Sequence, residues 1–355
     1  MPSITFYRIY ETGKDEIDME RLEQMLAQDH SIARARFSRV KTKSIIMEIP
    51  PLLVSLAPYK PQNGGLEFSA RAKIFDIGAV SITLSHEINS DQPIKRIEEI
   101  ALQFGGQDGL DDVFSHYLRT LESTLSPHLG SLQIEPEFYE DYTIVRVENR
   151  HQCPDPVTVL MSEPVNFSSQ MRDEIMKNSL SYSGDDFAII SYDSALICDS
   201  EDPGDIMDLI EFANVQLLEL RYYDDRLTRQ MARMYDDIES ADRMPGYRRI
   251  KQYHLIMSKL MKGYAEVTET TEKINNLIKI TEDIYYAKIY ETTLKVLRSN
   301  QWTESVDRKI NVILQNYTML SNEVNVQHSN FLEWTIILLI ALEFALAIWQ
   351  SIKLT

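Results

Sequence analysis

The stretch Phe331–Trp349, FLEWTIILLIALEFALAIW, constrains this chain more than any other part of it. It is apolar except for Glu333, Thr335 and Glu343. A membrane-spanning helix needs about 17–25 mostly apolar residues, and this run reaches that length. Trp334 and Trp349 bracket it as interfacial indoles do. With Leu332 and Glu333 they mark an expected single transmembrane helix over residues 331–350, a tail anchor with the rest of the chain on one side of a bilayer. A buried C-terminal helix is the competing interpretation, because the run is short and Glu343 lies within it. Glu343 is expected first to make a helix–helix contact in an oligomer, second to be partly solvated, and last to serve ion transport.

The formal net charge of −18 argues against a nucleic-acid-binding head, since such affinity rests on Lys and Arg neutralising phosphates. Cys153 and Cys198 cannot build a disulfide framework and suit a reducing compartment. The acidic N-terminus lacks the basic and apolar regions of a signal peptide and the composition of a transit peptide. A cytoplasmic head is therefore expected.

Residues 1–200 read as a mixed α/β head. Ile4–Tyr10, Val40–Ile49, Glu67–Leu84 and Thr143–Val147 have strand patterns, and Phe187–Ser191 with Ala195–Cys198 suggests a hairpin. Ile17–Gln28 and Ile94–Leu125 have helical spacing, the latter interrupted near Gly105-Gly106. Regular βαβ alternation is missing, so the fold class is α+β. Acidic residues and Pro203 then signal a helix start. Residues 203–330 are expected to form a stalk of three long antiparallel, coiled-coil-like helices.

The first stalk helix carries a seam through Ile206, Ile210, Ala213, Leu217, Leu220, Asp224, Leu227, Met231, Met234 and Ile238, with steps alternating between 4 and 3. Asp224 is its only charged member, and either fixes register, binds an Arg, or sits at a solvated stretch. Arg243-Met-Pro-Gly246 ends this helix. The second is expected to run on from there, with seam rows through Ile250, Met257, Tyr264, Thr271, Ile278, Tyr285 and Thr292 and through Tyr253, Leu260, Val267, Ile274, Thr281 and Lys288. A turn at Ser299-Asn300 leads to the third, which uses Trp302, Val306, Ile310, Ile313, Tyr317, Leu320 and Val324 and continues into the membrane run. The stripes are expected to pack within one chain or between chains.

Residues 243–262 reverse the charge of the chain. They carry Arg243, Arg248, Arg249, Lys251, Lys259 and Lys262 and no acidic residue. If helices two and three form a hairpin, residues 247–267 lie at the membrane surface, where such a segment would attract anionic lipid. The alternative pairs these cations with the acidic face of helix one, at Asp236, Asp237 and Glu239.

No nucleophile elbow, phosphate loop, dinucleotide fingerprint or zinc spacing occurs in the sequence. His151 and Cys153 form an H-x-C pair without further ligands at metal spacing. No catalytic residue, cofactor or metal is expected.

The string LEWTIILLIALE, Leu332 to Glu343, resembles the ending of the proteins called required for meiotic nuclear division, at Glu333, Trp334 and Glu343. FDIGAVSI, from Phe75, is similar to that family's Phe-Asp-Tyr-Gly-Val-Val strand, with Ile77 for Tyr. FANVQLLELRYYDDRL, from Phe212, matches its long helix more loosely and departs at Asp224-Asp225. The resemblance implies a non-enzymatic, membrane-anchored protein that forms large assemblies and supports translation, with ribosomal or translation factors as partners by analogy. It also implies a bacterial inner membrane, or alternatively a mitochondrial one. The expected function is a tail-anchored scaffold that self-assembles as a homo-oligomer. An ion transporter of the magnesium-channel type is the first alternative, but this chain has one span and no Gly-Met-Asn. An enzyme with an unrecognised site in the head is the second.

Overall fold

The computed structural model describes residues 1–27, 31–35, 45–47, 49–61, 65–89, 92–129, 134–201, 203–276, 279–280 and 283–353. They form two compact units, one of Met1–Tyr222 with Thr270–Glu304, the other of Tyr223–Glu269 with Ser305–Thr355. The class is α+β, with a sheet domain, long helices and a C-terminal apolar helix.

In chain order the first elements are β1 (Ser3–Glu11), α1 (Met19–Leu26), β2 (Ile32–Arg34), β3 (Ile45–Ile46), β4 (Leu52–Tyr59), β5 (Phe68–Ile74) and β6 (Ala79–Glu87). Next come α2 (Pro93–Gln103), α3 (Asp111–Leu129), β7 (Tyr139–Val147), α4 (Pro156–Met161), α5 (Ser169–Met176), β8 (Ser179–Leu180), β9 (Phe187–Ile190) and β10 (Ser194–Cys198). The C-terminal part comprises α6 (Gly204–Asp242), α7 (Gly246–Asn275), β11 (Lys279–Ile280), α8 (Ile284–Val296) and α9 (Ser299–Lys353).

Among the described residues the first unit holds a nine-stranded sheet in the order β2-β4-β5-β6-β1-β7-β10-β9-β8, antiparallel except between β7 and β10. β1 sits in the middle, with every residue after Ser3 buried, because both sheet faces are covered. On one face Ile4, Phe6, Ala72, Ile82 and Leu84 pack with Leu22, Ile97, Ile100, Phe114 and Leu121 of α1–α3. On the other, Phe212 of α6 meets Phe75 edge-on, with ring centroids 5.4 Å apart.

Three expectations change. The expected strand Glu67–Leu84 is a hairpin of β5 and β6, which turns at Phe75–Gly78, where Gly78 has φ +107°. A Cβ there would lie 2.0 Å from the Lys14 carbonyl oxygen, so only glycine fits. The second stalk helix is not continuous. α7 stops at Asn275 and β11 pairs with β3, after which α8 starts anew with the Asp283 carboxylate accepting from the Tyr285 and Tyr286 amides. Its seam rows therefore end within α7, and residues 277–278 and 281–282 lie outside the described residues. The expected turn at Ser299-Asn300 falls at Arg298, with φ 56°, and both residues belong to α9. Most of the expected strand Val40–Ile49 also lies outside the described residues.

The second unit is helical. Arg226 of α6 pairs with Glu266 of α7, and Lys259 of α7 pairs with Asp237 of α6, so these helices run antiparallel. Tyr253, Leu260, Val267, Leu227, Met234, Val306, Ile313 and Leu320 are buried in it.

Candidate membrane anchor and polar cleft

The apolar run keeps its sequence-predicted form. α9 has an 18-residue window of mean hydropathy 1.6, and none of that window is buried. Phe331 is 68% exposed, Trp334 70%, Leu338 62% and Phe344 71%. By contrast Val306, Ile313, Leu320 and Val324, on the same helix, are buried at heptad-like spacing. Burial therefore stops between Val324 and Phe331, and the exposed apolar stretch beyond is long and apolar enough to span a membrane. Leu332, Glu333 and Glu343 are exposed as well, and Thr335 returns its hydroxyl to the Phe331 carbonyl at 2.8 Å.

The seam residues are placed as follows. Leu217 and Leu220 are fully buried in the first unit, Leu227 is fully buried in the second, and Met231 is half-buried. Asp224 binds a lysine rather than an arginine. Its carboxylate takes Lys309 Nζ and the Ser305 hydroxyl, each at 2.7 Å, while Lys309 also donates to the Asp224 carbonyl and the Thr228 hydroxyl. This polar knot fixes α9 against α6 at one register within the unit.

Most of the basic segment is engaged with carboxylates. Arg243 pairs with Glu239, Arg249 with Glu323, Lys259 with Asp237 and Lys262 with Glu266. The Arg249–Glu323 contact, at 4.0 Å, puts the start of α7 eight residues before Phe331, about 12 Å along α9. Arg248 and Lys251 have no acidic partner among the described residues.

The first unit contains a site that the sequence did not reveal. Side chains alternate along strands, so Ser69, Arg71 and Lys73 of β5, Thr83 and Ser85 of β6 and Tyr7 of β1 share the face opposite the main core. The opening turns of α6 bring Asp205, Asp208 and Glu211 over them, leaving a cleft of ≈ 470 Å³. Lys73 Nζ lies 2.6 Å from both Asp208 Oδ1 and Glu211 Oε2. Burial works against its charge, but the two carboxylates outweigh burial and raise its pKa. Arg34 is occupied by Glu23, the Pro50 carbonyl and the Met19 carbonyl. Arg71 is exposed, lines the same cleft and has no acidic partner among the described residues.

Residues 1–204 match the family model described as uncharacterized protein MJ0711, N-terminal domain. The chain belongs to this family. The uncharacterized protein MJ0711 of Methanocaldococcus jannaschii is 29% identical over 176 residues, which cover 49% of this chain and 53% of that protein. The chain thus spans about half the length of the curated relative it matches. No solved structure matches. The MJ0711-type domain ends where α6 begins, so it holds the sheet side of the cleft, while Asp205, Asp208 and Glu211 lie just beyond it.

Proposed function

We propose that this chain is a membrane-anchored, non-catalytic scaffold whose MJ0711-type head is held at a bilayer by the apolar end of α9. The observation that carries this reading is the complete exposure of the apolar window. A soluble helix of this composition would be driven to bury that face. The likeness of Leu332–Glu343 to the meiotic nuclear division tail supports self-assembly through the helices and tail, and a role beside the translation machinery. The head would face the cytoplasm, and Arg248 and Lys251 would meet anionic lipid. Cell fractionation tests the anchor. The full chain is expected to stay in the membrane pellet after an alkaline wash, and the chain lacking residues 331–355 to become soluble. A truncated form that still pellets would sink the proposal, and its residual binding to anionic vesicles would measure the contribution of the basic segment.

The cleft favours a second reading, a head that binds a small polar ligand. Its volume lies in the range of about 300–1,000 Å³ usual for ligand sites. Arg71 beside the Ser69, Thr83 and Ser85 hydroxyls suits an oxyanion, carboxylate or phosphate. Millimolar phosphate or a small carboxylate is expected to raise the Tm of the full chain, and Arg71→Ala to abolish that rise. An equal rise in the variant would refute this reading.

A further inference from the structure

At the end of the sheet, Glu11 closes β1 and meets Glu219 of α6. Glu11 is 4% exposed and Glu219 is 0% exposed. Their carboxyl groups are within hydrogen-bonding reach of each other. The Gly13 amide donates to Glu11 Oε1 at 2.9 Å. No donor among the described residues reaches Glu11 Oε2 or either oxygen of Glu219. Two ionised carboxylates cannot share such a place without a cation between them. The surroundings add negative charge, from Asp15 and Glu16 in the loop after β1 and Asp76 in the β5–β6 turn. Lys273, from the last turn of α7, is a cation facing this region, and it pairs with Glu16 at 3.3 Å. A hard divalent ion takes about six or more oxygen ligands. Among the described residues no group of three or more His, Cys, Asp or Glu is arranged to hold one.

We propose that Glu11 and Glu219 hold a shared proton, and that this proton is a pH-sensitive latch fastening α6 to the end of β1. Burial pushes Glu11 up to about 7, and burial with the neighbouring Glu11 charge pushes Glu219 well above the ordinary carboxyl range. The sign follows from linkage. Both folded-state values lie above the unfolded value of 4.5, so between them the folded chain binds more protons. The pair's contribution to stability is complete below 4.5 and falls as pH rises through about 7, where Glu11 ionises and one proton stays shared, then falls further as Glu219 ionises.

The experiment is thermal unfolding of the full chain in detergent from pH 5.5 to 8.5, for wild type and Glu219→Gln. The amide of the variant donates to Glu11 without needing a proton. The wild-type Tm is expected to drop towards pH 8.5 relative to the variant, leaving Glu219→Gln higher by at least about 3 °C there. Parallel curves would overturn the proposal. So would a rise in the wild-type Tm at pH 8.5 with millimolar Mg²⁺, Mn²⁺ or Ca²⁺ that the variant lacks, which would put a metal in place of the proton. If the variant does not fold, infrared spectra of the wild type decide. A protonated-carboxyl carbonyl band should persist at pH 7 and fade on alkaline titration, and its absence at pH 7 would refute the shared proton.

Discussion

Replacing Lys73 by alanine is expected to destabilise the head by about 3–5 kcal/mol, the usual consequence of leaving buried charge uncompensated. The lysine side chain is 10% exposed, Asp208 25% and Glu211 1%. Removing Nζ leaves two carboxylates facing the sheet with their counter-charge gone. One of them must then take up a proton or recover water, and α6 must lift from β5 to allow it. The loss is expected in urea unfolding of the full chain in detergent, with hydrogen exchange rising first in β5 and the opening turns of α6. The triple change Lys73→Met, Asp208→Asn, Glu211→Gln is expected to recover most of it, because no buried charge remains. A loss below about 1 kcal/mol would mean that the cluster is hydrated and contributes no more than an exposed ion pair.

This cluster shows where the sequence stopped informing. Lys73 and Asp208 are 135 residues apart, and neither stands out locally. Their strand and helix are each legible from periodicity, but which helix covers which sheet face is a long-range outcome of packing. Asp224 is the intermediate case. Its place in an apolar seam allowed a partner as well as a solvated stretch, and Lys309 lies 85 residues further on with no pattern of its own. The β5–β6 hairpin was hidden because Phe75-Asp-Ile-Gly-Ala-Val80 is apolar through the turn except at Asp76, and the positive φ of Gly78 is not written in composition. The break in the second stalk helix was hidden too, since Thr271, Ile278 and Tyr285 keep heptad spacing across it. β4 (Leu52–Tyr59) lies between Pro50-Pro51 and Pro61 and contains Pro58, and these prolines mask its strand pattern. The apolar stretch of α9 was legible because a long apolar helical run is written in local composition alone.

The second large effect is expected at Arg8, a charge sealed beneath the sheet centre. Arg8 is 4% exposed. Its Nε donates to Gln107 Oε1 at 3.0 Å, its Nη1 pairs with Asp111 at 2.7 Å, and its guanidinium lies 4.6 Å from the Phe114 ring centroid and 4.7 Å from that of Tyr139. Gln107 completes the arrangement by donating to the carbonyls of Tyr7 and Tyr142, on adjacent central strands, at 3.0 and 3.1 Å. Arg8→Ala removes the stacking and the charge-assisted bonds and opens a void between two rings, at an expected loss of about 3 kcal/mol or more. Gln107→Ala leaves the guanidinium and two strand carbonyls short of partners, each worth about 1–3 kcal/mol when buried. The two losses should not add. Once Arg8 is gone Gln107 has lost its acceptor role, so the double variant is expected to be more stable than the sum predicts, by about 1 kcal/mol or more. Hydrogen exchange at β1 and β7 amides in the four chains measures this coupling directly. Strict additivity would mean that Gln107 supports the strands independently, and that Arg8 is held by Asp111 and the rings alone.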